Sequence, residues 1–186
     1  MEYVDPAPIL DRLSLTGTTT DIAQAARNGL HVFTDGCFDP GSADGGWAFV
    51  AYRDGVEIAS GCGGIRKTAN NATEIAAVLE AASWIGGNAA GEPAVIWSDS
   101  LYAVRGCNLL LPIWRGNGWK KIDANPNVRR RTIADVGLWR AVDLLLTQNA
   151  LVTVDWCKGH FGIDGNERAD ALADKGRLSI HRARQA

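Results

Sequence analysis

The chain has 186 residues, 46% of them hydrophobic and 22% charged, which is enough apolar material for one globular core. A formal net charge of −2 excludes a protein that coats nucleic acid by bulk charge and leaves room only for a local basic patch. No apolar run approaches the roughly 18 residues that span a bilayer, so no membrane partner is expected.

Residues 1–29 read as an N-terminal extension. Asp5-Pro6-Ala7-Pro8 is irregular, Thr16 to Thr20 is a loop, and Asp21 to Asn28 has the pattern of one or two helical turns capped by Gly29. A body over residues 30–178 follows, with a short tail at 179–186. Three strand-like runs open it: His31–Gly36, Gly46–Arg53 and Val56–Cys62. The Asp54-Gly55 pair between the last two signals a hairpin.

Ile75, Val78, Leu79, Ala82 and Ile85 then repeat at helical spacing, predicting a helix over Thr73–Ile85 that Gly86-Gly87 ends. A fourth strand at Ala94–Trp97 leads into a helix near Ser100–Cys107. A helix around Val136–Leu146, a fifth strand at Leu151–Trp156 and a last helix from Asn166 to Lys175 complete the chain. Hairpin-linked strands followed by strands alternating with helices predict an α/β fold with a mixed sheet and helices on its faces. Cys37, Cys62, Cys107 and Cys157 are scattered, without zinc-ligand spacing, and read as reduced thiols.

Four acids occupy positions with more than one reading. Asp35 lies in or at the end of an apolar strand, where an ionised carboxylate needs a metal or donors; the alternative is a turn-forming Asp before Gly36. Glu74 sits beside the apolar stripe of its helix, but Asn71-Ala72-Thr73-Glu74 also has the form of a capping box. Asp99 falls at the carboxyl end of the fourth strand, a usual place for ligands and also for an N-cap. Asp170, one turn after the expected cap Asn166, is by itself a surface acid. Together they offer only hard oxygen ligands, a set that suits Mg²⁺ better than zinc.

Thr34-Asp35-Gly36, Asn70-Asn71-Ala72-Thr73-Glu74, Ser98-Asp99-Ser100 with Tyr102, and Lys158-Gly159-His160 followed by Gly165-Asn166-Glu167-Arg168-Ala169-Asp170 resemble, in order and spacing, the signatures of the type 1 ribonuclease H family. The resemblance covers about residues 31–177. It implies a ribonuclease H-like fold: a five-stranded mixed sheet, the first three strands antiparallel, flanked by helices. It implies an endonuclease that cuts the RNA strand of RNA/DNA hybrids, with Asp35, Glu74, Asp99 and Asp170 holding two Mg²⁺ ions, Mn²⁺ being a possible substitute. Products would carry 5′-phosphate and 3′-hydroxyl ends. His160 resembles the family's mobile histidine for proton transfer or product departure, against the bland reading of a surface loop. A cytoplasmic monomer is expected.

Between residues 114 and 131 six cations, Arg115, Lys120, Lys121 and Arg129–Arg131, stand against one acid, Asp123. This stretch resembles the family's basic, tryptophan-containing protrusion. Its cations would neutralise DNA-strand phosphates, while Trp114 and Trp119 pack the protrusion or lie against sugars; the alternative is a solvated loop with core tryptophans. By resemblance, Gly36, Cys37, Asn70 and Asn71 sit where the minor groove is read. Departures at Leu101, Gly41-Ser42, Ala69 and Asp135 bear on substrate discrimination more than on chemistry. The rivals are a noncatalytic hybrid-binding module, against which all four acids speak, and a DNA-directed nuclease of the same superfamily, against which the Lys-Gly-His segment speaks.

Overall fold

The computed structural model describes residues 28–121 and 132–182. The readings of residues 1–27, of Asp123 and Arg129–Arg131, and of residues 183–186 fall outside them. Strands β1 (Leu30–Asp39), β2 (Asp44–Arg53), β3 (Val56–Ile65), β4 (Ala94–Ser98) and β5 (Val152–Trp156) form one sheet in the order β3-β2-β1-β4-β5. The β1–β2 and β2–β3 pairs are antiparallel, while β1–β4 and β4–β5 are parallel, so the expected mixed sheet is present. Asp54 and Gly55 both adopt positive φ, 52° and 78°, which is what a two-residue hairpin turn between right-twisted strands requires.

Alternation along β1 sends its side chains to two separate cores. Leu30 and Val32 pack with Ile75, Val78 and Ile85 of α1 (Asn70–Asn88), and with Trp139 and Val142 of α4 (Val136–Gln148). Phe33 joins Ala48 and Val50 against Ala169, Leu172 and Ala173 of α5 (Asp164–Arg182) on the opposite face. At about 25 cal/mol per Å² of apolar surface, these two layers are the main source of stability. α5 lies unusually close to the sheet: a Cβ built at Gly176 would come 2.6 Å from the Gly63 carbonyl oxygen, and one at Gly46 would overlap the Ala173 carbonyl.

Several boundaries differ from expectation: β2 starts at Asp44, β3 runs to Ile65, and α1 continues through Gly86-Gly87 to Asn88 instead of stopping at them. β1 continues three residues beyond Gly36 to Asp39, because Gly36–Asp39 stay paired with Asp44–Trp47. α1 begins at Asn70 rather than Thr73. The helix expected near Ser100–Cys107 is longer and interrupted: α2 (Leu101–Arg105) passes through a π turn (Gly106–Leu110) into α3 (Leu111–Gly116). Gly106 rests on the Trp139 indole, where any side chain would overlap the ring, so the register change and the close packing coincide. α5 starts two residues before Asn166 and runs to Arg182, so the first residues of the expected tail continue the helix, with Ile180 buried.

Candidate active site

The carboxyl ends of β1 and β4 point the same way, a consequence of their parallel pairing, and they bring distant acids together. Asp35 is not a turn residue: it lies mid-strand opposite Ala48 and is 8% exposed. The next position explains how α1 reaches it. A Cβ at Gly36 would sit 2.5 Å from the Glu74 backbone nitrogen, so only the missing side chain lets the first turns of α1 lie against β1.

Glu74 is not a capping-box residue. The cap of α1 is Ala69, with no side-chain capping bond, which leaves Asn71 inside the helix and Glu74 beyond its first turn. Its carboxylate is instead buried, and Oε2 has no hydrogen-bond partner. Nor is Asp99 a cap: Ser100 fills that role for α2, its Oγ accepting from the Ala103 N–H at 3.3 Å. Asp99 is held by its backbone, where the Trp156 indole N–H donates to its carbonyl at 3.1 Å. The turn after β5 presses on its side chain, since a Cβ at Gly159 would overlap Asp99 Oδ2.

One carboxylate oxygen from each of Asp35, Glu74 and Asp99 lies within 4.8 Å of the other two. Asp170, half-buried on α5, is near enough for its charge to act on Asp35, but it is not among the three acids whose oxygens converge. The electrostatic consequence is large. Burial, then the charges of Asp99 and Asp170, push Asp35 up to about 8, against the lowering influence of the Gly36 N–H. Burial, then Asp35 and Asp99, push Glu74 up to about 9. Burial also holds Asp99 above the usual carboxylate range, opposed first by Asn166 and then by His160. A buried carboxylate oxygen without a donor and mutually repelling acids lack positive charge at their centre. A hard divalent cation fits that need and that donor set.

His160 is exposed, at φ 53°, in the turn between β5 and α5. Beside it the Lys158 ammonium lies 3.3 Å from the Phe161 ring centroid. Asn70 and Asn71 are exposed at the start of α1. Cys37 packs towards α5, where Arg177 reaches its thiol. In the basic segment, Trp114 is 7% exposed and stacks edge-on with Trp139 at 5.5 Å, which makes it a packing residue. Trp119 is half-buried with the Arg140 guanidinium 5.3 Å from its ring centre. Arg115 is spent on Asp143 at 2.7 Å, whereas Lys120 and Lys121 are exposed.

Sequence alone missed two contributors. Gly159 abuts Asp99, a role signalled only by a glycine between Lys158 and His160. Asn166, expected as a helix cap, is a buried amide beside Asp99.

The family profile described as RNase H matches residues 27–177. The ribonuclease H of Cupriavidus necator is 35% identical over 153 residues, covering 81% of this chain and 97% of that protein. Among solved structures, a type 1 ribonuclease H described as having the type 2 active-site motif superposes with a TM-score of 0.68 at 24% identity, covering 82% of this chain and 74% of the other. A foamy viral protease–reverse transcriptase solved in complex with RNA/DNA hybrid gives a TM-score of 0.69 at 21% identity over 83% of this chain, which spans only 20% of that longer protein. The profile match across most of the sequence, together with relatives of this identity and coverage, means that the chain belongs to the ribonuclease H family.

Proposed function

We propose that this chain hydrolyses the RNA strand of RNA/DNA hybrids endonucleolytically, leaving 5′-phosphate and 3′-hydroxyl ends, with residues 30–178 as the working unit and residues 1–29 as an appendage. The observation that carries the reading is the convergence of Asp35, Glu74 and Asp99 oxygens within 4.8 Å, with Glu74 Oε2 buried and unpartnered. Asp35, Glu74, Asp99 and Asp170 would hold two Mg²⁺ ions, or Mn²⁺ in their place. When bound, such ions supply Lewis acidity to the scissile phosphate and lower the pKa of water.

The chain's own residues do the rest. Glu74 and Asp35 are held by helix and strand backbone rather than by flexible loops, so the anionic pocket costs little reorganisation when it is filled. His160, exposed beside Asp99, exchanges protons with solvent and helps product depart. Lys120 and Lys121 face solvent with no ion-pair partner among the described residues and neutralise backbone phosphates. Gly36, Asn70 and Asn71 line the neighbouring edge of the site, where a 2′-hydroxyl is sensed. The solved foamy viral complex with RNA/DNA hybrid supports this substrate. No helix among the described residues is long and apolar enough to cross a membrane; we place the protein in the cytoplasm as a monomer.

The test is cleavage of labelled RNA/DNA hybrid, duplex DNA and duplex RNA with and without Mg²⁺. Metal-dependent cleavage of the hybrid alone is expected. Equal cutting of duplex DNA, or none of the hybrid, refutes the reading.

A further inference from the structure

We propose that Asn166 is a positioning residue for Asp99, and that the Cys157 thiol sets the orientation in which its amide does so. This rests on the nuclease reading above and deepens it.

Asn166 is 1% exposed and Cys157 is fully buried, both beneath the acid cluster. The thiol donates to Asn166 Oδ1 at 3.3 Å, and the Cys157 backbone N–H is anchored to the Ser98 carbonyl at 3.0 Å, at the end of β4 next to Asp99. With Oδ1 occupied by a donor, Nδ2 is turned to the other side of the amide. There it adjoins the Asp99 carboxylate closely enough to favour its charge, yet it has no partner that meets full hydrogen-bond geometry.

The opposite amide orientation would set Oδ1 against a carboxylate and Nδ2 against a thiol hydrogen, unfavourable on both sides. A buried donor left unspent beside an acid is costly unless something closes the bond. A small movement of Asp99 towards Nδ2 would let one carboxylate oxygen accept from the amide and leave the other available to hold a metal. Outer hydrogen bonds of this kind fix which oxygen a carboxylate presents.

The position on α5 strengthens the case. Asn166 and Asp170 are four residues apart, on one face of the helix. Asp170 reaches Asp35, while Asn166 reaches Asp99. One turn of helix thus steadies the acids delivered by two different strands. The partner set is also chemically directional: the buried thiol donates to Oδ1, and an amide oxygen can only accept.

The experiment compares the full chain with Asn166→Leu, which keeps the side chain's shape and removes the donor. Thermal-shift titration of the protein alone with MgCl₂ reads metal affinity without any turnover. The variant should need about tenfold more Mg²⁺ to reach its midpoint, and kcat on a hybrid should fall by a similar factor with KM within about twofold. An unchanged Mg²⁺ midpoint together with unchanged kcat overturns the proposal. Cys157→Ser and Cys157→Ala form a second arm, similar in volume but differing in a donor. Ser should keep the parent midpoint and Ala should shift it severalfold; equal midpoints overturn the thiol's part. If the parent chain cleaves no hybrid, the nuclease reading fails, and the Mg²⁺ midpoints still decide the place of Asn166.

Discussion

Strand β1 buries one ionisable side chain near its start and another at its middle, and the two are treated oppositely. His31, 6% exposed, is fully satisfied: its Nδ1 accepts from the Trp97 indole at 3.0 Å, which leaves Nε2–H to donate to the Asn28 carbonyl at 2.9 Å. Four residues on, Asp35 is equally buried but surrounded by other acids, and its neighbour Glu74 keeps an oxygen with no donor at all. A buried polar group with its bonds closed secures a fold. One left open in a cluster of like charge marks a place where something else is meant to bind.

Replacing Asp35 with Asn breaks the contrast most severely. Hybrid cleavage should fall by about a thousandfold or more, while the metal-free protein should melt higher, because a source of repulsion is gone. Cleavage assays and calorimetry on one preparation measure both. A lower metal-free melting temperature would show that the acids are not in conflict.

Proton linkage sharpens the difference next. Asp35 at about 8 and Glu74 at about 9 hold protons more tightly folded than unfolded. The stability they contribute is therefore complete below about pH 4 and is lost progressively as pH rises through those values. Without metal, the melting temperature should drop between pH 5 and 9, and saturating Mg²⁺ should remove most of the drop. A metal-free profile flat across this window would contradict the raised values.

The closed end has the opposite signature. His31→Ala strands the Trp97 N–H and the Asn28 carbonyl, so it should cost about 2 kcal/mol of stability in denaturant melts. Turnover at a permissive temperature should not change. His160→Ala should slow kcat by about tenfold without altering the melting temperature, since the imidazole is exposed. Smallest of all, Lys120→Ala with Lys121→Ala should raise KM a few-fold and flatten its salt dependence with kcat intact.

The mixed sheet, and the convergence of Asp35, Glu74 and Asp99, were legible because ordered motifs supplied what the ambiguous local signals at each acid did not. Asp54-Gly55 makes its turn, and alternation along β1 feeds two cores. What misled were signals that depend on boundaries. Asn71 and Glu74 have capping-box spacing, yet α1 starts at Asn70, where packing against Gly36 rather than a cap decides the first turn. Asn166 has a cap's composition but lies two residues inside α5. The π turn at Gly106 lies against Trp139, more than thirty positions away, a contact no local window contains. Trp114 reads first as part of a binding protrusion and second as a core residue, and its place against Trp139 puts it in the core.

The glycines at 46 and 176 carry one further consequence. α5 rests on bare backbone of β2 and β3, so Asp170 owes its location to missing methyl groups as much as to any attraction. A single added carbon at either position would lever the helix outward and carry Asp170 with it. The chain's chemistry is thus vulnerable to lesions at the seam between helix and sheet, where a survey confined to charged residues would never look.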